Sequence, residues 1–590
     1  MTSPPRPFRR IGNSLQRWST LIRLAITTGT FALGFYGFFL QDHPATLSAW
    51  FNTLFNTLGL LTLQFPHEIR DAVWQLNLAR FLLPLFALLG TIHLVTGNAL
   101  RPLRYAFLGV FDRPVLLSLG PAVATGSANG MGGAGSSLLR ELATLHVSRA
   151  ATGLDIPADL TAQLDRDGVP LLIADPGQPD TWRRLRVDHA RLVIVAHGDD
   201  LANLNATAAI AEVLRESRHR PQPGILVLIE RTEIADQVEI ALDLARSDGS
   251  IAFRRLALAD HAVQPLFLDP LLPHPEDQPG HLVILGWCPP APNVLRHALT
   301  LMQHDPASGP TITIFADPAA TARDPLLRPN AIPPFVANLR LLPWDGTGPL
   351  PPDLQIHLTS QPLPTLWCIC LDDEAGIITA LALGERFSGT ASIAVHQARM
   401  NTFLPALGGS DSPLARLRPF GGILPDGAVR RILDVQDDAL PREMHRAYLA
   451  ALERQGAKAG TRSDWSALTE TLRHANRVSA AHLPVKLAAI GCRTTTAPLA
   501  PNEDPFAFTE SELARLVRIE HRRWCADRLV QGWHFSPMTE HTLRLHGDLV
   551  DFDALDAESH LKDRDAILAL PDLLRAVGLR IIRDPTGNGP

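Results

Sequence analysis

The sequence predicts a membrane-attached α/β protein. An N-terminal pair of apolar spans is followed by two doubly wound parallel lobes in tandem and then by a helical C-terminal domain. Three observations predict it. First, Arg191–Leu204 (RLVIVAHGDDLANL) and Leu366–Thr379 (LWCICLDDEAGIIT) are each an apolar, β-branched run that stops at a paired aspartate and turns into a helix-forming segment. A short apolar run of this kind reads as an inner strand of a parallel sheet. Second, the chain opens on two long apolar runs. Third, from Asp437 onward the apolar residues recur at helical spacing.

Taken in order, residues 1–20 form a basic N-terminus carrying Arg6, Arg9, Arg10 and Arg17. Leu21–Gln41 (LIRLAITTGTFALGFYGFFLQ) is close to the roughly 20 residues a spanning helix needs, and Phe81–Gly97 is a second, slightly shorter run. A signal peptide is the competing reading of the first run, but no small-residue cleavage site follows it. Arginines flank the outer ends of both runs, with Arg101 and Arg104 after the second. The positive-inside rule then puts both ends in the cytosol. The expected location is a bacterial-type inner membrane, multi-pass, with a large cytosolic C-terminal portion.

Between the spans, Ser48–Phe65 is apolar, carries Asn and Thr, and ends at Pro66. With two spans it must dip into the membrane and return, which backbone tolerates only when buried in protein or lining a water-filled pore. Asn56, Thr57, Gly59, Thr62 and Gln64 are the candidate pore residues of the 21–105 membrane domain. An interfacial helix or a third span are the plainer alternatives. No T-V-G-Y-G filter is present; Leu61-Thr62-Leu63-Gln64-Phe65 stands there.

The α/β repeat has two copies. The first, 112–265, comprises strands at Val115–Gly120, Val169–Ala174, Arg191–Ala196 and Gly224–Glu230, with its second strand near Thr144–Arg149. The second, 278–402, comprises His281–Gly286, Thr311–Ala316, Leu339–Leu342, Leu366–Leu371 and Ala391–His396. Strands alternating with helices give βαβ units and a doubly wound sheet. The first copy's candidate site residues are Gly120, Asp175, Asp199, Asp200 and Asn203. Its only G-x-G-x-x-G, Gly130–Gly135, lies ten residues after Gly120, the wrong spacing for a dinucleotide turn. Ser148-Arg149 stand where a ribose acid is expected. In the second copy Asp317 holds that position, but Gly286-Trp287-Cys288-Pro289-Pro290 leaves no phosphate turn. The acid pairs have a plainer role as helix caps.

A Gly/Pro-rich linker is expected over 403–436, and a helical domain over 437–584. Its helices read as 437–456, 464–490, 509–532 and 563–578, with Thr509 and Glu512 forming a capping box on the third. Net charge is −6, so no basic surface argues for nucleic acid. The five cysteines lack C-x-x-C spacing and fit reduced thiols, and no metal site is expected. No Ser/His/Asp grouping, Walker loop or H-E-x-x-H is present, so no enzyme is expected.

Two resemblances follow. Ala174-Asp175, Leu185 and Asp199-Asp200-x-x-Asn203 are similar to the strand patterns of regulator-of-potassium-conductance (TrkA-N-like) domains. Val283-Ile284-Leu285-Gly286-Trp287 resembles the corresponding opening in Castor and Pollux channels. This likeness implies tandem Rossmann-like lobes in a tetrameric, potassium-channel-like ion channel with a cytosolic gating ring. Further on, Leu513-Ala514, Glu520-His521-Arg522-Arg523-Trp524, Gly532-Trp533 and Leu561–Asp565 resemble the bacterial ryanodine-receptor repeat (RyR) domain, with Ala475-Asn476-Arg477 and Lys486-Leu487 as its leading half. That implies a ligand-sensing module for a small, anionic, nucleotide-type ligand, with no cofactor certain. Asn476, Arg477, Lys486, His521, Arg522, Trp524 and Trp533 are the candidate ligand contacts, since arginine forks onto phosphate and tryptophan stacks on bases. Trp533 and His521 have core roles as their alternative. The function expected is a ligand-gated homotetrameric channel. A non-conducting membrane-anchored nucleotide sensor or defence effector is the alternative, and a membrane-tethered NAD(P)-dependent redox protein the third reading.

Overall fold

A computed structural model describes residues 28–62, 73–99, 113–120, 149–217 (apart from 155, 157, 198 and 199), 223–229, 253–268, 280–346, 354, 364–386, 392–397, 417–421, 438–454, 465, 468–498 and 505–584. The chain divides into two compact units, Met1–Phe107 and Leu108–Pro590.

Among the described residues the first unit holds three helices: α1 (28–42), α2 (Leu47–Gly59, continued by a 3-10 turn at Leu60–Thr62) and α3 (Trp74–Ala99). Thr46 starts α2 by accepting a hydrogen bond from the Ala49 amide at 3.3 Å. Helix α1 meets α3 at its glycines. A Cβ on Gly34 would lie 3.1 Å from Ala79 Cβ, and one on Gly37 only 2.9 Å from Leu76 N, so only a bare backbone fits. Phe38, Leu60, Leu76, Ala79 and Leu83 form the core. The second apolar run starts its helix at Trp74, seven residues before Phe81, and keeps Pro84 inside it. The start of the first run and Gln64 lie outside the described residues. Among the described residues no helix is long and apolar enough to cross a membrane.

The second unit contains two six-stranded parallel sheets of identical order. In the first, β1 (Val115–Leu119), β2 (Arg149–Gly153), β3 (Leu171–Ile173), β4 (Leu192–Ala196), β5 (Gly224–Leu228) and β6 (Phe253–Leu256) are arranged 3-2-1-4-5-6. Between them run α4 (Ala158–Arg166), α5 (Pro179–Arg184) and α6 (Asp200–Glu216), and α7 (Leu258–Phe267) follows β6. In the second, β7 (His281–Leu285), β8 (Thr311–Ala316), β9 (Asn338–Pro343), β10 (Leu366–Ile369), β11 (Ser392–Gln397) and β12 (Leu417–Gly421) are arranged 9-8-7-10-11-12. Helices α8 (Ala291–Leu301), α9 (Pro318–Thr321) and α10 (Asp373–Arg386) connect them. The central strands are buried throughout, which explains their unbroken apolar runs.

Three expectations need correction. Strand β2 begins at Arg149, where the expected strand ended. Its RAATG core of small residues gave no apolar signal. Strand β12 falls inside the expected linker, because Leu417 and Phe420 are buried beside β11 in a short segment with no periodicity to read. The lobe boundary near 265 also fails: Val263 and Phe267 of α7 pack in the core of the second lobe.

The C-terminal region comprises α11 (Ala439–Arg454), α12 (Glu470–Ala481), α13 (Leu483–Ala488), β13 (Cys492–Thr495), α14 (Glu510–Val530), β14 (His534–Phe535), β15 (Leu545–His546), α15 (Ala557–Leu568), α16 (Leu570–Ala576) and β16 (Arg580–Arg583). Two helices expected to be continuous are broken where Pro484 and Pro571 open a new helix, since proline lacks the amide that would continue the old one. Antiparallel β13 and β16 tie the last strand back to the middle of the region. Leu483, Leu487, Leu513, Leu516, Ile567 and Leu574 form a core of its own, while Cys525, Ala526 and Leu529 of α14 pack among Val294, Leu295 and Ala298 of α8. The capping box is present, with Thr509 Oγ1 accepting from the Glu512 amide and Glu512 accepting from the Thr509 amide. Thr509→Ala is expected to lower stability by about 1 kcal/mol in thermal unfolding.

Candidate functional site

In an open doubly wound sheet, the order reverses where two neighbouring strands send their helices to opposite faces. The crevice beyond their carboxyl ends is the ligand site. In the first lobe those strands are β1 and β4, which end on Gly120 and His197. Ser118 Oγ lies 2.7 Å from His197 Nε2, and a Cβ on Gly120 would lie 2.7 Å from His197 Nδ1. Asn203 anchors the next turn. Its Oδ1 accepts from His197 N at 2.6 Å, and its Nδ2 donates to His197 O at 3.2 Å and Leu228 O at 2.8 Å. Buried Asn203 therefore ties β4 to β5 and leaves no amide group for a ligand. Asp175 stands after β3 and accepts from Gly177 N at 2.8 Å, shaping its own loop. Asp200 opens α6, and Asp199 lies outside the described residues.

The residue that sequence reasoning passed over is His197, set inside the quoted run and hidden by the acid pair after it. A second omission follows from the register of β2. Its end is followed by Leu154-Asp155, so Ser148-Arg149 are not at the ribose position; Asp155 itself lies outside the described residues.

The second lobe is closed at the equivalent place. Gly286 has φ +87°, and a Cβ there would sit 2.4 Å from Cys370 O. The loop's only thiol, Cys288, faces the Leu371 carbonyl at 3.4 Å, and burial pushes its pKa up to about 12. Asp317 accepts from Ala319 N at 2.9 Å and caps α9. Asp372 accepts from Ala375 N at 2.9 Å at the start of α10. In this lobe the acids are caps.

The C-terminal candidates do not gather in one open pocket. Arg477 is held by Asp438 at 2.7 Å and Glu470 at 2.6 Å, and Asn476 donates to Leu472 O at 2.8 Å. Lys486, only 2 % exposed, lies 2.5 Å from Glu520, which also takes two bonds from Arg523. Burial raises the Glu520 carboxyl, but Arg523 and Lys486 outweigh it and hold it well below the usual range. Arg522 faces the second lobe and donates to the carbonyls of Asp305, Ser308 and Pro306 at 2.6, 2.8 and 3.1 Å. Trp524 and Trp533 flank Arg528, whose guanidinium lies 5.7 and 5.2 Å from their ring centres. Each cation expected on a ligand is thus already engaged by protein. Arg477 and Lys486 find their acids inside the C-terminal region and Arg522 finds its carbonyls across the seam with the second lobe, pairings that periodicity cannot show.

His521 has Asp563 on Nδ1 at 3.1 Å, Val550 O on Nε2 at 2.9 Å and Cys525 Sγ 3.4 Å from Nε2. The row has the order of a thiol triad. However, Nε2 is committed to a carbonyl, and burial pushes the Cys525 thiol up, so the row is a structural clamp. Burial lowers the His521 pKa, but the Asp563 bond wins and raises it to about 10. Its stabilisation is therefore full below the unfolded value of about 6.5 and is lost as pH rises through about 10. Denaturant titrations at pH 6, 8 and 10 should show the second unit weakening with pH, and His521→Gln should flatten the dependence.

An open cavity of about 700 Å³ does lie nearby, between α14 and α15, lined by Val517, Arg518, Phe552, His560, Leu561 and Arg564 among others. None of the seven expected contacts lines it. Arg518 and Arg564 are paired with Asp553 and Glu510. Among the described residues no group of three or more His, Cys, Asp or Glu could hold a metal.

In the first unit Thr57 is buried, its hydroxyl donating to Thr53 O at 2.7 Å, and Thr62 donates to Gly59 O at 3.1 Å. Asn56 and Gly59 are half-buried.

The fold thus comprises two tandem Rossmann-like α/β lobes of the same strand order. Residues 129–241 match the TrkA-N domain. No curated protein matches the chain. Among solved structures, the chain is similar to a mutant of GsuK at 12 % identity and a TM-score of 0.36, covering 71 % of this chain and 97 % of that one. It is likewise similar to GsuK bound to ADP (14 %, 0.34, 68 % and 95 %) and to the GsuK channel (13 %, 0.36, 71 % and 96 %).

Proposed function

We propose that the chain is a ligand-regulated channel subunit of potassium-channel-like architecture, with a nucleotide-type ligand read in the first lobe. The observation that carries the reading is the pair of complete 3-2-1-4-5-6 sheets in one chain, the first of them overlapping the TrkA-N match. Membrane residence is supported by the inside-out pattern of α2. Trp50, Phe51, Leu54, Phe55 and Leu58 are exposed while Thr53 and Thr57 are buried, and Phe81, Leu85 and Leu88 of α3 are exposed too. Exposed apolar surface on this scale marks a lipid or protein contact. Assembly as a homotetramer, a cytosolic ring and the RyR-like assignment of residues 437–584 belong to the same proposal. In it, the C-terminal region braces the second lobe.

Ion flux from liposomes carrying the protein, with a panel of nucleotides, tests this. Flux that appears with one nucleotide and is lost in Asp175→Ala supports it. Tight nucleotide binding without flux under any ion gradient sinks the channel. It would leave a membrane-anchored sensor, a reading favoured by the inward-turned hydroxyl of Thr57.

A further inference from the structure

The crevice of the first lobe has an occupant of its own. His197 follows β4 directly, yet its imidazole turns back to the sheet edge, and only 9 % of the residue is exposed. Three elements hold it there. Ser118 on β1 bonds Nε2 at 2.7 Å, Asn203 on α6 accepts from the amide at 2.6 Å, and Gly120 lies flat against it. A Cβ on Gly120 would meet not only Nδ1 at 2.7 Å but also His197 Cα and Cβ at 3.2 Å. The absence of a side chain at Gly120 therefore makes room for the histidine. A dinucleotide lies across this same switch point, with one nucleotide on each half of the sheet, whereas a mononucleotide needs only one half.

We propose that His197 is the specificity-determining residue of the first lobe, its ring filling the crevice space between β1 and β4 that an extended dinucleotide must cross to lay its second nucleotide on the far half of the sheet. A smaller nucleotide held from the β2–β3 side of the crevice leaves that space to the ring and is admitted. The inference rests on reading the first lobe as the ligand site. It adds which nucleotides enter and which side chain decides.

NADH and ADP binding to the purified full chain, measured by calorimetry for wild type, His197→Ala and His197→Thr, tests it. NADH affinity should rise by about tenfold or more in His197→Ala and by less in His197→Thr, with ADP affinity nearly unchanged. The threonine variant keeps a hydroxyl near Ser118 should alanine loosen the edge, and unfolding midpoints report the fold of each protein. Equal NADH affinity in all three proteins, or weaker binding in His197→Ala, overturns the proposal. So does ADP binding with no NADH binding in any of them. Binding of neither nucleotide by any protein overturns it together with the ligand-site reading. The expected pattern alongside a silent liposome assay sinks the channel and leaves His197 in its role.

Discussion

Glu520→Gln should destabilise the second unit by about 3–5 kcal/mol, the usual cost of breaking a buried ion pair from one side. Glu520 bridges Lys486 at 2.5 Å and Arg523 at 2.9 Å, with Asp527 farther off at 4.0 Å from Arg523, and both cations are almost wholly buried. An amide can hydrogen-bond but cannot neutralise them. Lys486 can shed its proton, since burial already lowers its pKa against the pull of Glu520, whereas arginine cannot. Lys486→Met should therefore be the milder change, because Arg523 continues to hold the carboxylate. Chemical unfolding checks the order. An effect of Glu520→Gln below that of Lys486→Met would show that Glu520 is not the hub of this buried cluster. Acid should act in the same direction. The folded carboxyl lies below its unfolded value, so its contribution is present above about pH 4.3 and fades as pH falls.

Arg522→Ala should cost about 2–4 kcal/mol, since bonds from a charged donor contribute roughly 1.5–3 kcal/mol each and the exposed carbonyls recover part of that from water. The guanidinium gathers three carbonyls of the turn between α8 and β8, while His482 holds Gln303 O of the same turn at 2.9 Å. Its loss should raise hydrogen exchange over residues 302–309 while far-ultraviolet circular dichroism stays unchanged. Arg522→Lys should rescue little, because a point charge cannot span the fork. Had Arg522 been a ligand contact, the variant would lose affinity and keep its stability, so the two measurements separate the roles.

Much of the second unit was legible in the sequence. Apolar runs ending at an acid mark strands whose burial on both faces is obligatory, and nearly all were placed within a few residues. The capping box at Thr509 and Glu512 was equally readable, since both partners lie within one turn. What escaped had no local signature. RAATG at β2 is small rather than apolar, FRRL at β6 carries two arginines, and LRPFG at β12 sits in a Gly/Pro-rich stretch. In each case the strand exists because neighbouring strands offer it a partner.

The candidate site divides along the same line. The RyR resemblance, together with residue chemistry, singled out Arg477, Lys486, His521 and Arg522. Function depends on what stands opposite each one, and here that is Asp438, Glu520, Asp563 and the carbonyls of a turn more than 200 residues earlier in the chain. The sequence by itself determined the two doubly wound lobes and the helical C-terminal region, because burial periodicity and capping are local properties. Only the tertiary structure decided that Arg522 braces the second lobe while Arg477 and Lys486 pair within their own region, and that the His197 ring turns back to the sheet edge of the first lobe. Charge pairing and crevice filling are set by distance in space, which spacing along the chain does not carry.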